Sequence, residues 1–231
     1  MAMDNIRYDE IRESGFAVDA LLSVDPDCPA YGLNIALAWP FPEKLKENYE
    51  KLRRELLELG DDVYVYPYEE THVTVMTLIN FKKHQHPSTQ EIQEMEKLIP
   101  GIVSKISDLL RNDLRGKITP FKIEIGSPIL ARAAAYLPIS NPSGEVFLLR
   151  EKIAPVLAKE FSLEVEYNKD FIHSTIMRFY QAPSNGEEFM AKFQSIAERN
   201  KIGEAAIDEI YLTSETKPYM RDGEKLHIFR P

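Results

Sequence analysis

Apolar positions along the chain recur with two periods, and the switches between them mark out the elements. Residues 32 to 39, GLNIALAW, are an apolar run bounded by Gly32 and Pro40, too short for a typical helix, which predicts a buried strand. From Pro42 the spacing lengthens to threes and fours, with Leu45, Tyr49, Leu52, Leu56 and Leu59 on one face until Gly60. That pattern predicts an amphipathic helix of about five turns. VYVY and THVTVMTLINF follow as β-rich segments separated by Pro67. Ser88 and Glu91 make a capping-box pattern ahead of Ile92, Met95, Ile99, Val103, Ile106 and Leu110, a helix that Pro100 and Gly101 should kink or split. Phe121 to Ile139 reads as two strands joined around Gly126 to Pro128, and residues 144 to 161 as a second long helix, broken or bent at Pro155. FIHSTIMRFY is a strand, Ser184 with Glu187 caps a helix through about Asn200, and AAIDEIYLTS and KLHIF close the chain as strands.

Each half thus runs strand, helix, strand carrying a His-x-Thr triplet, helix, which points to a duplication. Hairpins and the lack of a strict βαβ alternation favour α+β over a doubly wound parallel sheet. The expected architecture is bilobal and pseudo-twofold, with mostly antiparallel sheets flanked by helices around a central cleft. With no Gly/Ser linker inside it, residues 31–231 are expected to form one bilobal domain. Residues 1–30 are charged and irregular, with room for one short helix before the DPDCP turn, and read as an N-terminal extension.

Charge narrows the partners. With 28 basic and 37 acidic side chains the net charge is -9, which disfavours a long nucleic-acid groove but leaves room for a local positive spot. The single cysteine, Cys28, excludes an internal disulfide and a cluster of thiolates. No apolar run approaches the roughly 18 residues of a membrane span and the N-terminus has no apolar leader, so a cytoplasmic monomer without a membrane partner is expected.

The triplets carry the chemistry. In His72-Val73-Thr74 and His173-Ser174-Thr175 the polar residues are two apart in apolar strands, so each pair shares a face. Five histidines and eight threonines in 231 residues would give roughly 0.2 such triplets by chance. Two imidazoles suit in-line attack on a phosphodiester: one neutral ring takes a proton from the attacking oxygen, and one protonated ring donates to the leaving oxygen. A bell-shaped rate profile between roughly pH 5 and 8 is expected of such a pair. The threonine hydroxyls can donate to non-bridging oxygens. Neither a cofactor nor a metal is called for, because there is no HExxH and no cysteine cluster.

The paired triplets, 101 residues apart, with Arg178 after the second and the segments LNIALAWP, EETHVTVMTL, FIHSTIMRF, IDEIYLTS and KLHIF, resemble the 2H phosphoesterase superfamily over about Tyr31 to Pro231. That superfamily contains RNA 2',3'-cyclic phosphodiesterases and so-called 2'-5' RNA ligases. The resemblance implies a bilobal α+β fold with both motifs facing one cleft, and metal-independent phosphodiester chemistry. It makes His72, Thr74, His173 and Thr175 the expected catalytic residues and a nucleotide or RNA end, with a 2',3'-cyclic phosphate or a 2'-5' linkage, the expected substrate. The alternatives are 2'-5' ligation and a nucleotide-binding module without turnover. Arg178 is a candidate phosphate contact, although simple alternation puts it on the face opposite His173. Trp39 and Tyr180 are candidate substrate contacts through their rings, and Lys82 and Lys83 a candidate phosphate-steering pair. His84 and His86 read as a solvated His-x-His, and His227 has no assigned role.

Overall fold

The N-terminal segment expected to be an irregular extension is folded onto the body of the protein. In the computed structural model, which describes residues 6–118 and 120–231, Tyr8–Ser14 (α1) and Ala20–Val24 (α2) are both helical. Backbone hydrogen bonds tie the segment down, from Arg7 to Leu130, Ala17 to Arg132 and Asp19 to Phe179. Ile6, Ile11 and Leu22 are buried. Those three apolar side chains, spaced among charges, are what the charge-based reading underweighted.

Gly32–Leu37 (β1) is buried at all six positions, as suits a strand with a neighbour on each edge. A short 3-10 turn leads into Lys46–Leu57 (α3), which buries Tyr49, Leu52 and Leu56. Val63–Val65 (β2) and Val73–Ile79 (β3) follow. The helix expected after Ser88 is split into Thr89–Glu96 (α4), with its full capping box, and Ile99–Asn112 (α5). Pro100 sits in the first turn of α5, where its missing N–H leaves no bond unmade.

Where two strands joined around Gly126 to Pro128 were expected there are three, Phe121–Ile125 (β4), Ile129–Leu130 (β5) and Ala134–Ser140 (β6), and β4 and β5 each pair antiparallel with β6 instead of with each other. Glu145–Phe161 (α6), expected to be broken or bent at Pro155, runs through it as one unbroken helix. Val146, Leu149, Ile153, Ala154 and Leu157 are buried on both sides of the proline, so tertiary packing outweighs the one lost hydrogen bond. His173–Phe179 (β7) precedes Gly186–Arg199 (α7), which is capped by the Asn185 side chain accepting from the Glu188 N–H, not by Ser184. Both Ser and Asn suit that role, and the structure selects the residue one position later. Gly203–Ile207 (β8), Ile210–Glu215 (β9) and Gly223–Phe229 (β10) complete the chain.

The strands make a sheet in the order β10-β9-β1-β3 and a second in the order β2-β7-β6-β4-β8, with β5 on β6. Pairing within both is antiparallel. Each sheet borrows from the other half of the chain: β9 and β10 extend the sheet of β1 and β3, and β2 pairs with β7. Thr77 and Glu166 exchange backbone hydrogen bonds of 2.8 and 2.9 Å, linking β3 to the segment that leads into β7.

Candidate active site

The two His-x-Thr strands are bent by the same device. Along β3 the register passes from Ala36 opposite Thr74 to Ile35 opposite Met76. Along β7 it passes from Tyr136 opposite Thr175 to Ala135 opposite Met177. In both, one extra residue follows the threonine, a bulge that shifts the later side chains to the other face. His72, Thr74 and Thr77 are therefore half-buried together on one face, with Val73, Val75, Met76 and Leu78 buried. His173, Thr175 and Arg178 match them 101 residues on, with Ser174, Ile176, Met177 and Phe179 buried. Simple alternation misplaced Arg178 because it ignored the bulge.

All six of these half-buried residues line one cavity of about 470 Å³. The two imidazoles in it are held differently. His72 Nδ1 lies 2.8 Å from the Glu70 carbonyl, which can only accept, so Nδ1 carries the proton and Nε2 is the free nitrogen. Burial holds this ring below its ordinary pKa, against the opposing pull of the carbonyl and with a smaller push from Arg178. His173 has no hydrogen bond among the described residues. It stacks on Phe171 at 5.1 Å and meets Tyr136 edge-on at 5.6 Å. Burial first, then the positive charges of Arg150 and Arg178, and then His72, lower its pKa to about 4.

Arg150 was not anticipated. It lies on the buried face of α6 and lines the cavity. Its guanidinium donates to the carbonyls of Val75 (2.8 Å) and Thr74 (3.4 Å) on β3 and of Asn168 (2.9 Å) and Phe171 (3.1 Å) ahead of β7. One side chain thus ties the two motif strands together. Among the described residues its hydrogen-bond partners are all backbone carbonyls, and no carboxylate pairs with it. The pattern Val146, Leu149, Arg150, Ile153, Leu157 has helical spacing, and a cation in an apolar stripe was the available signal.

Arg178 is caged. Nε donates to the Tyr66 hydroxyl at 3.1 Å, Nη1 lies 3.3 Å from the Asp19 carboxylate, and the guanidinium sits 3.9 Å over the Tyr219 ring. The Tyr219 hydroxyl donates to Asp19 in turn. Tyr219 and Met220 have φ of 67° and 63°, a left-handed pair that only strong local contacts maintain. Glu215 supplies one: Oε2 accepts from the Met220 N–H at 2.8 Å and Oε1 from the Asn34 amide at 3.0 Å. Burial raises the Glu215 pKa to about 7. A Cβ on Gly32 would stand 2.6 Å from the Glu215 carboxylate, so the strand needs glycine there.

Trp39 and Tyr180 do not line the cavity. Trp39 is buried, packs with Tyr211 and Met220, lies against Gly223, and donates Nε1–H to the Glu69 carbonyl. Tyr180 packs edge-on against Tyr64. Both rings satisfy core packing, the common fate of aromatic residues at strand ends. Lys82 does line the cavity, whereas Lys83 is bound to Glu164 and Glu166. His227 packs on Phe229.

No family model matches the sequence, and no curated protein matches it. Solved structures do match the fold, an α+β arrangement of antiparallel sheets and helices. Escherichia coli LigT, solved with phosphate, is 14% identical, with 87% of this chain and 98% of that one covered at a TM-score of 0.50. TT0787 of Thermus thermophilus is 15% identical, covering 86% and 97% at 0.53. A conserved protein of unknown function from Agrobacterium tumefaciens, ATU0111, is 12% identical, covering 95% and 98% at 0.58. At these identities the likeness is one of fold, and it is the fold that the paired triplets implied.

Proposed function

We propose that the chain is a 2H-type phosphoesterase: a metal-independent phosphodiesterase acting on a small nucleotide or RNA end through His72, Thr74, His173 and Thr175. The observation that carries this reading is the repeated bulged strand, which brings two His-x-Thr faces to one cavity. Crystals of the fold relative LigT with phosphate and with ATP support a small phosphorylated ligand for this chain too.

His173, kept neutral by burial and two arginines, is the general base. It takes the proton of a water whose oxygen attacks phosphorus. His72, whose Nδ1–H bond to Glu70 favours the imidazolium, is the general acid at Nε2 and protonates the departing ester oxygen. The anionic substrate supplies the opposite charge that raises the His72 pKa on binding. Thr74 and Thr175 donate to the non-bridging oxygens, and Arg178 with Arg150 balances the charge that builds there. A 2',3'-cyclic phosphate or a 2'-5' linkage presents the diester this arrangement needs, and the net charge of -9 leaves a single cationic spot, not a long groove, to hold it.

The test is a panel of 2',3'-cyclic nucleotides and 2'-5' linked dinucleotides incubated with and without EDTA, with products separated by chromatography. Hydrolysis undiminished by EDTA is expected. Joined RNA ends without hydrolysis would favour ligation, and tight binding without turnover would favour a binding module.

A further inference from the structure

Away from the cavity, three side chains with metal-binding atoms meet at the junction of the N-terminal segment and the loop after β3. Asp25, Cys28 and His86 each offer one such atom, and these atoms lie within 4.8 Å of one another. Cys28 Sγ is 3.4 Å from His86 Nε2. With Zn–S about 2.3 Å and Zn–N about 2.05 Å, a tetrahedral ion holds sulfur and nitrogen about 3.5 Å apart.

The backbone sets up this meeting. The Cys28 N–H donates to the Asp25 carbonyl at 3.1 Å, closing the Asp25-Pro26-Asp27-Cys28 turn. That turn gives the two-residue spacing by which a single turn presents two ligands to one ion. The His86 N–H donates to the Pro29 carbonyl at 2.7 Å, and Ala30 pairs with Gln85. His86 takes a φ of 50°, a conformation that costs energy for a residue other than glycine and collects at functional positions. The Asp25 carboxylate is exposed and makes no ion pair or hydrogen bond among the described residues, unlike Asp27, which binds Lys217 and Arg221. It is free to swing the remaining distance.

We propose that Asp25, Cys28 and His86 form a three-ligand site for a borderline-soft divalent cation of the zinc class, clipping the N-terminal segment to the loop after β3. A thiolate, an imidazole and a carboxylate select such an ion over magnesium or calcium, which take oxygen ligands. On binding, the metal–sulfur bond forms as the thiol proton leaves to solvent. Three protein ligands leave one coordination position to water. None of the three side chains lines the cavity of the two histidines, so this site is separate from the proposed hydrolysis and its failure leaves that reading untouched.

The test is a cobalt titration of the chelator-treated protein, followed by optical absorption. One equivalent of Co²⁺ should bring up a near-ultraviolet sulfur-to-cobalt charge-transfer band with the visible bands of a tetrahedral site, both erased by Zn²⁺ and unaffected by excess Mg²⁺. Cys28→Ser should abolish the charge-transfer band. His86 is exposed, so His86→Ala folds whether or not Cys28→Ser does. It should weaken cobalt binding by at least the roughly 10- to 100-fold that loss of even an outer-shell partner costs. His84→Ala should bind cobalt as the parent does. No charge-transfer band at saturating cobalt, a His86→Ala titration matching the parent, or an equal loss in His84→Ala would overturn the proposal.

Discussion

His72 and His173 stand at matching places on matching strands, yet they are held by opposite means. His72 is fixed by a hydrogen bond from Nδ1 to the Glu70 carbonyl. His173 is fixed by aromatic packing between Phe171 and Tyr136 and faces two guanidinium groups. A carbonyl favours the charged imidazole and neighbouring cations disfavour it. A duplicated motif thus yields two chemically distinct rings, and the difference lies in what surrounds each ring, not in the motif itself.

Removing either ring tests the pair most severely. His72→Ala and His173→Ala should each lower kcat by about 10² to 10⁴, with the double variant well short of the product of the two losses. Steady-state kinetics beside thermal melts checks this, since half-buried cavity histidines should leave folding intact. A double variant showing the full product would mean that the rings act independently.

Arg178→Ala comes next, at about 10² to 10³ in kcat/KM for a lost charge-stabilising donor. Asp19→Asn removes one holding contact of the cage and should cost roughly tenfold, mostly in KM, as a weakened charged hydrogen bond would. Arg150→Met belongs to the comparison because Arg150 donates to the backbone of both motif strands. Leaving those carbonyls unsatisfied should cost on the order of 3 kcal/mol in denaturant unfolding. It should also raise the His173 pKa, visible as an upward shift of that ring's NMR titration.

The pH dependence sharpens the comparison with smaller changes. Both rings titrate below the usual histidine range, so the optimum of kcat/KM, which reports the free protein, should lie on the acid side of the expected pH 5 to 8 window. The limb set by His173 should fall near pH 4. Because the folded pKa of His173 lies below its unfolded value near 6.5, its contribution to stability is complete above pH 6.5. That contribution is lost as pH falls towards 4, where the unfolded chain binds the proton more readily. Unfolding free energies from denaturant melts of the parent and His173→Ala should therefore differ in pH slope across that window, the parent falling more steeply, and run parallel above it. Trp39→Phe and Tyr180→Phe, outside the cavity, should leave kcat/KM within about twofold, as is usual for positions that do not touch substrate.

Much of this was legible in the sequence where one period ran undisturbed. The strand at GLNIALAW, the helix from Leu45 and the two His-x-Thr strands follow from local pattern alone. The residues that were missed or misplaced depend on contacts between distant segments. Thr77 and Arg178 reach the cavity only through a bulge, a two-against-one pairing that a strand shows only beside its partner. Tyr219 and Asp19 meet across 200 residues. Arg150 was readable as a cation in an apolar stripe, but its carbonyl partners were not. Trp39 and Tyr180 illustrate the converse: an aromatic residue near a motif carries no sign of the side it faces.

The division of labour between the rings is tested most directly by changing the leaving group. A nucleotide diester whose leaving oxygen departs as a nitrophenolate needs no general acid, so it should restore most of the activity lost in His72→Ala while leaving His173→Ala as impaired as on the ordinary ester. Equal recovery in both variants, or recovery confined to His173→Ala, would contradict the assignment of His72 as acid and His173 as base.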